Sequence, residues 1–230
     1  MQNLIPLVIA THNKGKTAEI EDLLKEFPVD IKNMEDFGPI PPVEEDGETF
    51  DENAYKKASF TSRVLGLPAL ADDSGLRVEA LNGAPGVHSA RYAGENATDA
   101  ERCAKLLKEM EGHSNRKAAF ECVISIAVPT GAALTYEARC EGRIASEPAG
   151  TNGFGYDSIF FYPPHQKTFA QLSREEKSRV SHRGKALSEL RDEFDKVLVW
   201  IRQHMSDNAC FHIDSQMKKE DQCQQRRWKS

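Results

Sequence analysis

Leu7-Val8-Ile9-Ala10-Thr11-His12-Asn13-Lys14-Gly15-Lys16-Thr17 passes from a short apolar run into a polar turn, after which Ile20, Leu23, Leu24 and Phe27 recur at helical spacing. The stretch reads as strand, loop, helix. At such a handover the first backbone N–H groups and the positive end of the helix dipole point the same way. Two lysines join them here, so the loop suits a phosphate. With Ala10 standing for the first glycine, Ala10 to Thr17 imitates the phosphate-binding loop G-x-x-x-x-G-K-[ST]. The plainer alternative is an ordinary polar turn.

Working outward, Thr49 with Glu52 three residues later announces a second helix, which carries Ala54, Ala58, Thr61 and Leu65 on one face and stops at Gly66 and Pro68. The short apolar stretch Ala69-Leu70-Ala71 then runs into Asp72 and Asp73. Thr98 and Glu101 repeat the capping pattern before Cys103, Ala104, Leu106, Leu107 and Met110. From Phe120 the period changes to two: Phe120, Cys122, Ile124, Ile126 and Val128 form one face of a strand. Pro129-Thr130-Gly131 turns the chain, and Leu134, Tyr136, Ala138 and Cys140 alternate with polar residues, predicting a long β-hairpin. Leu187, Leu190, Phe194, Val197, Leu198 and Ile201 line one face of a last helix. These elements predict one domain over residues 1–205. Residues 206–230 are rich in Gln, Lys, Arg and Asp without an apolar period, and are expected to lack stable structure of their own.

At 230 residues with 39% hydrophobic content, the chain suffices for one well-buried core, or a core plus a smaller lobe. A net charge of −6 argues against a nucleic-acid backbone as the partner, because that binding needs a positive surface. The start Met1-Gln2-Asn3-Leu4-Ile5-Pro6 lacks the basic and apolar regions of a signal peptide, and no run approaches transmembrane length. Five cysteines, odd in number, widely spaced and without a Cys-x-x-Cys pair, suit a reducing compartment. The expectation is a soluble, cytoplasmic protein with no membrane partner.

Two acidic clusters stand out. Asp72 and Asp73 close a short buried strand, and Glu44-Glu45-Asp46 lie in a loop whose simplest reading is a solvated charge run. Neighbouring carboxylates repel, so a cation between them is one resolution, and hard oxygen ligands favour Mg²⁺. The glycine-rich segment Gly150-Thr151-Asn152-Gly153-Phe154-Gly155-Tyr156-Asp157 would let an aromatic ring stack on a base, or simply make a tight turn before Ile159. Ser173 with Glu176 opens a short helix bearing Lys177, with Ser181, His182 and Arg183 just beyond.

Taken together, six segments in order resemble the inosine-triphosphate pyrophosphatase family, the dITP/XTP or non-standard purine NTP pyrophosphatases. They are Thr11 to Lys16, Glu44 to Phe50, Ala71 to Leu76, Gly83 to Tyr92, Gly153 to Asp157 and Ser181 to Gly184. The resemblance implies an elongated, two-lobed α/β fold around a central mixed sheet with flanking helices, a substrate cleft between the lobes, and a homodimer. It implies that Thr11, His12, Asn13, Lys14, Gly15 and Lys16 hold the triphosphate, and that Glu44 and Asp73 bind Mg²⁺. Asp73 would accept the proton of the attacking water, with Lys16 also catalytic, and Ser74 would contact substrate. Phe154, Gly155, Tyr156, Asp157, Lys177, His182 and Arg183 would hold the base and phosphate tail. His12 stands where many relatives have glycine. The implied substrate is a purine nucleoside triphosphate such as ITP, dITP or XTP, cut to the monophosphate and pyrophosphate. Competing readings are a P-loop NTPase releasing orthophosphate, with Lys16, Thr17 and Asp72 or Asp73 in its motif positions, and a nucleotide-binding module without turnover.

Overall fold

The structure, a computed structural model, describes residues 4–11 and 13–227, with side chains for 4–11, 13 and 15–205. Strand β1 (Ile5–Ile9) leads into helix α1 (Lys14–Leu24), and the chain returns as β2 (Val29–Asn33), parallel to β1. Helix α2 (Phe50–Leu65) then crosses to β3 (Ala69–Val78), which lies parallel to β1 on its other side. Strand order therefore reverses at β1. Open α/β sheets leave a crevice beyond the carboxyl end of the strand at such a switch point, and the segment entering α1 sits there.

From β3 onward every neighbour is antiparallel: β4 (Lys117–Ala127), β5 (Ala133–Ile144), β6 (Phe160–Tyr162) and β7 (Lys167–Thr168). The seven-stranded order is β2-β1-β3-β4-β5-β6-β7. Helices α3 (Asp99–Glu109), α4 (Arg174–Val180) and α5 (His182–Arg227) complete the chain. The expected α/β class, a mixed central sheet with flanking helices, is the one observed.

The two-residue period of β4 distributes the core. Cys122, Ile124 and Ile126 pack against Ile20 and Leu24 of α1 and Leu190, Phe194 and Val197 of α5. Further along the same face, Ala118 and Phe120 join Leu106 and Met110 of α3 with Phe160 and Phe169 in a second cluster. On the opposite face Val123 meets Phe50 and Ala54 of α2, and Ala127 meets Ala58. Full burial of each of Phe160, Phe169 and Phe194 contributes about 1.5–3 kcal/mol.

Capping follows the sequence signals closely. Thr98 with Glu101 and Ser173 with Glu176 both close reciprocal capping boxes. Thr49 Oγ1 accepts from the Glu52 amide at 3.1 Å, but the Glu52 carboxylate reaches the Glu48 amide instead of that of Thr49. Gly66, left-handed at φ 68°, ends α2. Helix α1 stops at Leu24, leaving Phe27 beyond it to pack on Phe194. Helical backbone in α5 continues through Arg227, into the segment expected to lack stable structure of its own. Among the described residues no helix is long and apolar enough to cross a membrane.

Candidate active site

Strand β3 does not stop before its acidic pair. Asp72 and Asp73 lie inside it, opposite Ile124 and Val123 of β4, and the strand continues to Val78. Asp and Gly disfavour strands, but cross-strand pairing and side-chain compensation override that preference. Successive strand residues face opposite sides of the sheet. The two carboxylates therefore hydrogen-bond different lysines, Asp72 to Lys16 and Asp73 to Lys57, rather than closing on one cation between them, although each ammonium also acts on both charges.

On the α1/α5 side, Asp72 is 3% exposed. It accepts from Lys16 Nζ at 2.7 Å and from Arg183 Nη1, while Arg183 Nε reaches Glu19 Oε2 at 2.8 Å. Burial pushes the Asp72 carboxyl up, but Arg183 and Lys16 outweigh it and hold the group well below the usual carboxylate range. Asp72 Oδ1 and Arg183 Nη2 remain buried without hydrogen-bond partners, as does His182 Nδ1. Native interiors rarely leave such atoms unpaired, so each of the three calls for a polar partner, whether water or ligand. His182, the first residue of α5, stacks on Phe120 with ring centroids 4.7 Å apart. Burial, then the charges of Lys177 and Arg183, push its pKa down to about 3, so the imidazole stays neutral.

Asp73 faces α2. Its Oδ1 accepts from Lys57 Nζ at 2.9 Å, and the same ammonium lies 3.4 Å from Glu45 Oε2. Burial raises the Asp73 pKa, Lys57 opposes this, and Glu45 adds to the rise. The loop backbone at Glu45 is held by Arg91, whose Nη2 donates to the Glu45 carbonyl at 3.2 Å. Glu45, not Glu44, is thus the residue brought to Asp73 through Lys57. Glu44 is exposed beside Tyr55, Lys56 and Arg63.

Among the described residues no group of three His, Cys, Asp or Glu side chains is disposed to hold a metal. Mg²⁺ ordinarily takes one or two protein carboxylates and completes its shell with water and substrate phosphates. Asp73 and Glu45, already sharing one ammonium, fit that donor set.

The approach to α1 differs from a P-loop. Asn13 caps the helix, its Oδ1 accepting from the Gly15 and Lys16 amides at 3.0 and 3.2 Å, and Thr11 Oγ1 accepts from the Asn13 amide at 3.2 Å. Those first-turn amides are already satisfied, so Lys16 Nζ is the donor offered to a phosphate. His12 and the side chain of Lys14 lie outside the described residues. Ser74 follows on the Asp72 side of β3, half-buried.

The glycine-rich segment forms the remaining wall. Asp157 Oδ2 accepts from the Phe154 amide at 2.9 Å and from Lys177 Nζ of α4. Gly153 adopts φ 79°, and a Cβ there would collide with the Asp157 carboxylate. Phe154 is 61% exposed, with Lys177 Nζ 4.8 Å from its ring centroid. Tyr156 is instead buried, donating its hydroxyl to the Ser89 carbonyl at 2.8 Å. Gly155 offers backbone alone.

The structure thus brings Lys16, Asp72, His182 and Arg183 together on one face, and Phe154, Asp157 and Lys177 in one wall. Asp73 stands on the other face with Glu45, from the acidic loop singled out in the sequence, and with Lys57, which sequence reasoning missed. One signal existed: Asn53, Lys57 and Thr61 recur every four residues of α2, a polar line beside its apolar face.

A mixed sheet with a switch-point loop, carboxylates on both faces of one strand and lysine and arginine gathered around them define an α/β protein built to hold a compact polyanion. The chain belongs to the Ham1 family, whose model matches residues 7–193. It is 62% identical over 201 residues, 87% of either chain, to a dITP/XTP pyrophosphatase of Syntrophobacter fumaroxidans. To a dITP/XTP pyrophosphatase of Desulfotalea psychrophila it is 56% identical over 205 residues, 89% of this chain and 92% of the relative. The solved structure of a HAM1 protein from Coxiella burnetii matches with a TM-score of 0.81 at 47% identity, covering 84% of this chain and 100% of that one.

Proposed function

We propose that the protein is a nucleoside-triphosphate pyrophosphatase that hydrolyses the non-standard purine nucleotides ITP, dITP and XTP to the monophosphate and pyrophosphate. The observation that carries this reading is the division of labour across β3: Lys16 and Arg183 on one face, and on the other a carboxylate raised in pKa beside Lys57. The names of the Syntrophobacter and Desulfotalea relatives support the same substrate class.

Asp73 accepts a proton from water as the water oxygen bonds to the α-phosphorus. The bond from that phosphorus to the bridging oxygen breaks, and pyrophosphate leaves with the electron pair. A base works best when its pKa is raised toward the working pH, which is the direction burial moves Asp73. Lys16 and Lys57 sit where charge builds on the phosphate oxygens. Asp73 with Glu45, or Glu44 from the same loop, would hold Mg²⁺, which when bound neutralises triphosphate charge. Thr11 to Lys16 and Ser74 line the phosphate path.

Phe154 stacks on the base, while Gly155, Tyr156, Asp157, Lys177 and His182 shape its pocket. Arg183 Nη2, buried without a partner, is a donor for the 6-keto oxygen of hypoxanthine or xanthine. Adenine presents a second donor there, and an unpaired buried donor costs about 1–3 kcal/mol. The family resemblance supports a homodimer, and the buried free thiols of Cys103, Cys122 and Cys140 suit the cytoplasm.

The test is to supply Mg²⁺ with ITP, and ATP in parallel, and identify the products. IMP plus pyrophosphate with ATP spared is expected. Orthophosphate plus IDP would overturn the reading in favour of γ-phosphate cleavage, and tight binding without product in favour of a binding module.

A further inference from the structure

Helix α3 contributes no residue to the site described above, yet its first turn grips the wall that carries Phe154. Asp99, the first residue of α3, accepts from the Gly155 amide through Oδ2 at 2.6 Å. One turn on, the thiol of Cys103 donates to the Gly155 carbonyl at 3.4 Å. Both backbone groups of that glycine are thus held by α3. On the other side, Asp157 holds the preceding amide, that of Phe154, at 2.9 Å. Two carboxylates from separate elements therefore fix consecutive amides, and the ring they orient is the exposed one.

Asp99 is itself oriented. Its Oδ1 pairs with Arg102, whose Nη1 donates to the Ala90 and Ala97 carbonyls at 2.9 and 2.6 Å. Ala90 belongs to the turn Gly86–Arg91, which presses on β3: a Cβ at Gly75 would lie 2.6 Å from the Gly86 carbonyl oxygen. The same turn receives the Tyr156 hydroxyl at Ser89 and holds the Glu45 carbonyl through Arg91. One rigid turn thus braces the aromatic wall and the acidic loop together. An acid in the first turn of a helix also has a simpler role, favourable interaction with the helix dipole. That role does not require the 2.6 Å bond to a residue fifty-six positions away.

We infer that Asp99, set by Arg102, is a positioning residue that holds the Gly153–Asp157 wall in place for the purine ring, without touching the triphosphate. This rests on the pyrophosphatase reading for the identity of the ligand. A charge-assisted hydrogen bond to backbone is among the stronger ones a protein makes, and its loss would let the Phe154 wall drift.

The experiment compares the full-length protein with Asp99→Ala and Asp99→Asn. Calorimetry in Mg²⁺ measures the affinity for ITP, supplied as its uncleavable α,β-methylene analogue, and for inorganic tripolyphosphate, which has no base, and turnover of ITP itself is followed alongside. Asp99→Ala is expected to weaken ITP by roughly tenfold while tripolyphosphate stays within about twofold, the range expected for one charged hydrogen bond. Asp99→Asn, which keeps an oxygen for the Gly155 amide, should recover most of the loss. Equal weakening of both ligands would show a general structural role and overturn the proposal, as would unchanged ITP affinity in Asp99→Ala. A wild type that binds ITP no tighter than tripolyphosphate would overturn it too. Wild-type ITP binding without turnover would sink the pyrophosphatase reading alone, leaving the affinity comparison to judge Asp99.

Discussion

Adjacent residues of one strand meet two different chemical worlds. Asp72 enters the side covered by α1 and α5, where Lys16 and Arg183 over-compensate it and burial seals it. Asp73 enters the side covered by α2, where one lysine serves both it and Glu45. Burial raises both carboxyls; Arg183 and Lys16 then take Asp72 below the ordinary range, whereas at Asp73 burial and the neighbouring Glu45 outweigh Lys57 and leave it above. A fully compensated buried charge ties elements together. An under-compensated one remains available to take a proton.

The largest expected effect follows from that asymmetry. Asp73→Asn should lower kcat by about 10²–10⁴-fold, the usual contribution of a general base, with an unchanged thermal melt. Retained activity would remove Asp73 from the reaction, and a collapsed melt would make both aspartates structural. Asp72→Ala should instead destabilise the fold by about 3–5 kcal/mol in urea titration, because it strands Lys16 and Arg183 near each other in a buried site. The Asp72 pKa is lower folded than unfolded, so its contribution is present above the unfolded pKa and fades as pH falls through the folded one. The gap between wild type and variant should accordingly close in acid; a gap independent of pH would contradict the ion-pair account.

A finer probe is Lys57→Met. Lys57 opposes the rise that burial imposes on Asp73, and the base works ionised, so removing the ammonium should move the acid limb of kcat/KM to higher pH. A shift to lower pH would mean that Lys57 does not face Asp73 in solution. Smallest of all, no limb should arise from His182, whose pKa is pushed down to about 3; an inflection near 6.5 that disappears in His182→Gln would break that assignment.

Much of this was legible in the sequence. The caps at Thr49, Thr98 and Ser173 and the alternation from Phe120 to Cys140 located three helices and the central hairpin, because those signals are local. Strand β2 escaped notice: all five of its residues are only half-buried, so Val29 to Asn33 shows no alternation. Strand β3 was cut short at Ala71, since nothing local reveals that the following carboxylates are paired by α1, α2 and α5. Lys16, Asp73, Lys177 and Arg183 were found through the family pattern. The partnership of Lys57 and Asp99 with distant residues was not, because the packing of a helix on the sheet or on a loop creates it.

The hairpin of β4 and β5 has one further consequence. Phe120 and Cys122 are two residues apart on β4, yet they belong to different apolar clusters, and Cys140 and Tyr136 divide in the same way on β5. Continuous pairing from Lys117↔Arg143 to Ala127↔Ala133 means that neither cluster can open without fraying the backbone ladder of the other. The molecule should therefore unfold as a single cooperative unit. Amide hydrogen exchange along both strands would then be governed by global opening, with one common protection free energy from end to end.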